Sequence, residues 1–174
     1  MPPHRSRRAR VVALLGAVVV LFATTSCAGQ AMPQDLPGCV VLDHMREQAV
    51  GEVVSTLGGS YPSVGDSATY VHRLYDASGA AAATVYGKSN VRLRMVDGDL
   101  LENVDEQIRF ADGTVQAQGY YELGAAARGR DQFLPMIGTD GVFRDKLGRR
   151  TFHPLTAGQT ADTAVKLCPA DMLK

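Results

Sequence analysis

Cys27, Cys39 and Cys168 are the side chains with the widest chemistry open to them in this 174-residue chain, and their number is odd. In an exported protein an odd cysteine is either diverted to another use or left as a free thiol. The remaining reactive groups form no familiar catalytic constellation. Four histidines, at positions 4, 44, 72 and 153, are scattered without the spacing of a metal site. No nucleophile elbow and no thiol dyad is present. Gly138-Thr139-Asp140-Gly141 is glycine-rich, but no Lys-Ser/Thr pair follows to hold a phosphate, so it reads as a tight turn. Tyr75-Asp76 precedes Ala77-Ser78-Gly79 and reads as turn chemistry, the aspartate bonding nearby backbone. These patterns predict no metal, no cofactor and no hydrolase chemistry.

The fate of Cys27 follows from the residues before it. Arg5, Arg7, Arg8 and Arg10 form a positive head with no acid among them, and Val11 to Ala23 is an unbroken apolar run. That run is shorter than the roughly 20 residues of a spanning helix, and small residues follow it, the anatomy of a secretory leader. Its exit, Thr24-Thr25-Ser26-Cys27-Ala28, resembles a bacterial lipobox with Thr24 where leucine is usual. In a lipobox the cysteine is lipidated and becomes the first mature residue. The alternative is ordinary cleavage at Ser26-Cys27-Ala28 or after Ala31, giving a secreted product. Ser6-Arg7-Arg8 is a faint twin-arginine pattern. Lipidation of Cys27 resolves the count, leaving Cys39 and Cys168 as one disulfide pair in an oxidising compartment. The expected organisation is a leader over 1–26, a lipidated cysteine and tether over 27–37, and one domain over 38–174, held at the outer face of the cell membrane.

Composition narrows the partners. The leader takes four arginines and no acid, so the remaining 148 residues carry 14 basic and 18 acidic side chains, a net charge of −4. An acidic surface argues against nucleic acid and against charge-driven binding to anionic headgroups. Ala28 to Pro37 is small and polar with two prolines, the composition of a tether.

The rest of the chain is dominated by strand patterns. Val91, Leu93 and Met95 alternate with Arg92 and Arg94, and Asp97-Gly98 follows as a hairpin turn. Leu100, Val104, Ile108 and Phe110 then share one side of a long run, interrupted there by Glu102 and Glu106. Asp112-Gly113 provides a second turn and Thr114 to Tyr121 alternates again, a three-strand meander. Ser67 to Asp76 and the Ala-rich stretch ending AATVYGKSN pair around Ala77-Ser78-Gly79. Cys39 to Met45 and Glu52 to Leu57 read as strands, although Leu42, Met45, Ala49, Val53 and Leu57 also lie near helical spacing. QFLPMIG and RRTFHPL are short strands around the Gly-rich turn. About eight antiparallel strands in one domain should close on themselves, since an open edge invites aggregation. A barrel of that size is either filled by side chains or holds one small ligand.

Four segments in this order resemble the allene oxide cyclase and dirigent-like barrel family. They are SVGDSATYVHRLYD with its Gly-Asp start and Tyr-Asp end, DASGAAAATVYGKSN with Gly87, FADGTVQAQGYY with its Asp-Gly turn, and FLPMIGTDGVFRDKLGRRTF with its Gly-rich turn. The resemblance spans most of residues 38–153. It implies a closed antiparallel eight-stranded barrel, allene oxide cyclase-like and calycin-type, with an apolar pocket. The family's enzymes steer ring closure of a hydrophobic substrate by holding one conformer, an orientation effect, without a metal or covalent intermediate. An interior carboxylate near developing positive charge would add to that. The resemblance places Asp43 on the first strand where cyclases carry an acid, His72 where the plant enzymes have Asn, and Ser89 where they have Cys. These three are the candidate catalytic residues. For Asp43 the alternative is a solvent-facing carboxylate, and for His72 a hydrogen-bonded structural role.

Three functions remain open: an anchored barrel binding a small hydrophobic ligand, a cyclase or isomerase of such a molecule, and a structural or protein-binding envelope lipoprotein. The plant members are multimeric, which keeps a homo-oligomer among the states the resemblance implies.

Overall fold

The computed structural model describes residues 37–156 and 159–173. The leader, Cys27 and the tether up to residue 36 lie outside the described residues, and with them the expectations of export and lipidation.

Alternating side chains and β-branched residues produce eight strands: β1 (Val40–Ser55), β2 (Ser67–Tyr75), β3 (Ala81–Arg94), β4 (Leu100–Phe110), β5 (Gly113–Glu122), β6 (Gln132–Gly138), β7 (Lys146–Thr156) and β8 (Thr160–Pro169). A short helix, α1 (Leu123–Ala127), links β5 to β6, and brief 3-10 turns occupy Gly141–Phe143 and Ala170–Leu173. Each strand runs antiparallel to the next, and β8 pairs with β1, so the sheet is a closed barrel in simple sequence order. Closure leaves no unpaired edge to recruit another chain.

The meander of β3, β4 and β5 turns where Asp97-Gly98 and Asp112-Gly113 stand, and β4 follows the sequence pattern closely. Leu100, Glu102, Val104, Glu106 and Ile108 are all buried while their neighbours are not. The Asp76 carboxylate accepts hydrogen bonds from Ser78 N, Ser78 Oγ and Ala80 N at 2.6–3.0 Å, which is turn chemistry.

Strand boundaries differ from expectation in three places. The segments around Cys39 to Met45 and Glu52 to Leu57 are two halves of one strand, β1, and a register shift between Ala49 and Gly51 absorbs the glycine. The stretch ending at Asn90 and the one beginning there are likewise a single strand, β3, with a shift between Val91 and Leu93. That bulge turns Leu93 outward, where it is 45% exposed, instead of leaving it beside Val91. The eighth strand is β8, TADTAVKLCP, which the alternation did not mark because its inward face opens on Ala161 and Thr163. The β5–β6 seam is the shortest, only three residue pairs from Val115–Gly138 to Ala117–Met136. Its ladder stops at Pro135, which has no N–H to donate.

Inward-facing Met45, Leu74, Val85, Ile108, Val115, Met136, Val165, Leu167 and Phe143 fill one end of the barrel as an apolar plug. Phe143 reaches that plug because of Gly138: a Cβ there would lie 1.6 Å from the Phe143 carbonyl oxygen. The Gly-rich turn thus serves close packing. Cys39 and Cys168 are joined in a disulfide across the β1–β8 seam, with Cα atoms 4.1 Å apart.

Candidate functional site

Three interior charges lie just above the plug, on well-separated walls of the barrel. Glu47 projects from β1, Glu106 from β4 and Arg150 from β7, each less than 5% exposed. Arg150 donates through Nη2 to Glu47 Oε2, through Nη1 to Glu106 Oε2, and through Nε to Thr163 Oγ1 at 3.2 Å. Thr163 in turn donates to the Thr151 carbonyl at 3.0 Å. Both carboxylates have second partners: His72 Nδ1 lies 2.7 Å from Glu47 Oε1, and Tyr70 OH donates to Glu106 Oε1 at 2.8 Å. The Tyr70 and His72 rings stack at 4.6 Å. A buried charge requires this degree of pairing, because an uncompensated one is expensive in a low-dielectric interior.

Above this floor the barrel is open. A cavity of about 410 Å³ runs from Glu47, Glu106 and Arg150 to the mouth formed by the β1–β2, β5–β6 and β7–β8 connections. Leu134, Phe152, Pro154 and the α1 residues Leu123, Ala126 and Ala127 supply apolar wall. Two aspartates hold the mouth in shape. Asp66 accepts from Leu57 N, Ser63 N and Ser63 Oγ at 2.8–3.0 Å, fixing the loop that carries Tyr61 and Pro62. Asp99 accepts from Gly124 N at 2.6 Å and pairs with Arg128 at 3.3 Å, pinning α1 at the rim.

The protonation of the site follows from these contacts. Burial opposes ionisation of Glu47, but the Arg150 charge and the His72 contact outweigh it and lower its pKa from 4.5 to about 2. Burial also works against the Arg150 charge, yet Glu106 and Glu47 beside it push its pKa above the ordinary range. Burial and the neighbouring Glu106 push the Tyr70 phenol well up. Burial and Glu102 do the same to Tyr121, and raise Tyr61 to about 12. At neutral pH the cavity therefore presents three protonated phenols and a fixed Glu47–Arg150 ion pair. Because the folded pKa of Glu47 is depressed, its stabilisation is complete above about pH 4.5 and is lost as pH falls through 2. Urea titrations between pH 6 and 2 should show a loss on the order of 3 kcal/mol that Glu47→Gln largely removes.

Of the three candidate residues from sequence, two line this cavity. Ser89, on β3, is buried, and His72, on β2, is held against Glu47. Asp43 is elsewhere. It is exposed and lines a recess of about 390 Å³ at the opposite end of the barrel, with Val40, Leu42 and Phe110. The interior carboxylate of β1 is Glu47. A register shift between Leu42 and Met45, with His44 at φ 56°, sets which residues of β1 point inward, and it leaves Asp43 out.

Glu47, Tyr70, Glu106, Tyr121 and Arg150 escaped the sequence reading as site residues. Glu102 and Glu106 did leave a signal, as acids interrupting the apolar side of β4. Gly87 left another. A Cβ on Gly87 would lie 2.1 Å from Tyr70 Cε2, so the glycine makes room for the Tyr70 ring over β3. Gly87→Ala should destabilise the barrel by about 1–3 kcal/mol through overpacking and displace Tyr70 from Glu106. Chemical denaturation and the ultraviolet difference spectrum of the tyrosines would register both effects.

The barrel is closed, apolar at one end and hollow at the other above a fully paired ionic floor. The chain belongs to the allene oxide cyclase barrel-like domain family, whose model matches residues 46–167. Solved structures share the fold. AbnU, an exo-specific intermolecular Diels-Alderase, is 26% identical with a TM-score of 0.68, the match covering 74% of this chain and 96% of that one. A nonspecific heme-binding cyclase that catalyses a cycloaddition during neoabyssomicin biosynthesis is 25% identical with a TM-score of 0.69, over 74% of this chain and 65% of that one. The Diels-Alderase AbmU from Streptomyces koyangensis, at 24% identity and a TM-score of 0.67 over 77% of this chain and 65% of that one, agrees in fold.

Proposed function

We propose that this barrel binds one small hydrophobic molecule in its open half. The observation that carries the reading is the cavity of about 410 Å³, which has apolar walls and a floor whose charges already satisfy one another. Such a floor adds rigidity and polarity without demanding a counter-ion from the ligand. The volume lies within the range of ligand sites, which are mostly apolar with a few placed polar groups. The test is native mass spectrometry of the protein from its own host, followed by uptake of diphenylhexatriene, an apolar fluorophore. A reproducible bound mass and saturable uptake are expected. Ala126→Trp, at the cavity wall, should reduce uptake at least tenfold; neither mass nor uptake in the unaltered protein would overturn the reading.

A second reading is favoured by the relatives that are cyclases: the bound molecule is held in one conformer for ring closure. The Tyr70, Tyr61 and Tyr121 phenols, their protons directed at Glu106 and Glu102, would present fixed oxygens that orient the bound molecule, and the apolar wall would confine its chain. Catalysis of this kind comes from orientation and from polar groups arranged in advance of the reaction. Turnover of a tethered diene–dienophile by the unaltered protein, and its loss in Tyr70→Phe with ligand uptake retained, would support it. Unchanged turnover in Tyr70→Phe, Tyr61→Phe and Tyr121→Phe would count against the phenols.

We place the barrel, from its leader sequence, at the outer face of the cell membrane through lipidated Cys27. Cys27→Ser should abolish detergent-phase partitioning of the processed protein. Unchanged partitioning would refute the anchor.

A further inference from the structure

Glu102 is set apart from the other interior carboxylates. Glu47 and Glu106 share the guanidinium of Arg150, and each has a further side-chain partner. Glu102, on β4 nearer the mouth, is 1% exposed and lines the same cavity. The phenols of Tyr61 and Tyr121 lie beside its carboxylate. Its Oε1, however, is buried without a hydrogen-bond partner among the described residues. Buried polar atoms are nearly always paired, and an orphaned one on a charged group calls for an explanation. The same interior satisfies Glu47 and Glu106 fully, yet leaves this oxygen unbonded although two phenols lie beside the carboxylate.

We infer that the Glu102 carboxyl group is the docking point for a hydrogen-bond donor on the ligand, so the cavity selects apolar molecules that carry a hydroxyl, an N–H or an ammonium group. The inference rests on the ligand-cavity reading above and deepens it. Charge points the same way. Glu47, Glu52, Glu102 and Glu106 line the cavity against one guanidinium, that of Arg150, which is already engaged by two of them. A ligand carboxylate would meet like charge with no free cation on the cavity floor, whereas a donor would meet an acceptor already stripped of water. Sites built to pair with a buried polar group reject analogues lacking the complement strongly, because the group is then left unpaired. Tyr61 on its loop and Tyr121 on β5 would flank the docked group and keep the carboxylate in place.

The experiment is a displacement series at pH 7 against diphenylhexatriene bound to the purified protein. Four competitors have nearly the same chain: 1-decanol, decylamine, methyl nonyl ether and decanoate. Decanol and decylamine should displace the fluorophore at concentrations at least tenfold below the ether, with decanoate weakest. In Glu102→Gln the advantage of decylamine should vanish and the deficit of decanoate shrink to within threefold. Should Glu102→Gln fail to fold, as judged by circular dichroism, Glu102→Asp replaces it. Withdrawing the carboxylate by one methylene should then reduce the advantage of both donors. Equal displacement by all four competitors in the unaltered protein would overturn the role of Glu102 while leaving the ligand cavity standing. So would an unchanged preference in a folded variant. No binding of the fluorophore at all would overturn the cavity reading and this inference together.

Discussion

Arg150→Met should destabilise the barrel by about 3–5 kcal/mol, the range for removing one partner of a buried ionic network. The guanidinium is 2% exposed and donates to Glu47, Glu106 and Thr163, so its removal leaves two carboxylates facing one another without a cation. Methionine keeps much of the side-chain volume, which makes lost charge pairing, not a void, the dominant effect. A variant in which Glu47→Gln and Glu106→Gln accompany Arg150→Met separates the two. It should recover much of the lost stability, because no buried charge is then left unpaired. Denaturant midpoints for the single and triple variants check the expectation; equal destabilisation of both would show that packing, not charge, is what Arg150 supplies. Partial protonation of the stranded carboxylates in the single variant should also make its stability rise as pH is lowered from 7 to 5, a range over which the Glu47 contribution in the parent protein stays constant.

Loss of the Cys39–Cys168 disulfide should be comparable in size. The bond spans 129 residues, nearly the whole described barrel. Closing so long a loop in the unfolded chain corresponds to about 5 kcal/mol in the chain-entropy model, and removal of native disulfides typically costs about 2–5 kcal/mol. Position adds to length. The bridge lies beside the Val40–Leu167 pair, where β1 meets β8 to close the barrel, so it fastens the one seam formed by strands distant in sequence. The Cys39→Ala/Cys168→Ala variant should unfold at markedly lower denaturant and exchange amide protons faster along β1 and β8 than along β4. The cavity opens at the other end, so uptake of the apolar fluorophore by the folded variant should be unchanged. Uniform exchange across the barrel would assign the bond to the unfolded state alone.

The two devices act on different ends of one object. The disulfide secures the seam at the plugged end, and the ionic floor ties β1, β4 and β7 across the interior where the cavity begins. A hollow barrel gives up apolar packing in its open half. A floor with every charge paired, together with the Asp66 and Asp99 clamps at the rim, keeps that half in shape without filling it. The cavity is therefore open without a rearrangement of strands, which the proposed binding of a ligand in one pose requires.

Residue alternation and turn chemistry were enough, from sequence, for the closed antiparallel barrel, the β3–β4–β5 meander with its Asp-Gly turns, and the Cys39–Cys168 pairing. These are local or countable features: period-two burial, dipeptides that accept positive φ, and an odd thiol removed from a count. Glu102 and Glu106 were already visible as acids on an apolar side. What tertiary structure alone decided was which residues meet. The shifts at Leu42–Met45 and at Val91–Leu93 each change which side chains face inward, and a shift of one residue exchanges inside for outside, so Asp43 and Leu93 face out. Arg150 reads in sequence as one basic residue beside another, in Arg149-Arg150. Only barrel closure, which brings β1, β4 and β7 around one interior, places it between Glu47 and Glu106, 103 and 44 residues away. Periodicity reports on neighbours along the chain, whereas a site assembled across a barrel is set by register, which strand pairing fixes only when the fold is complete.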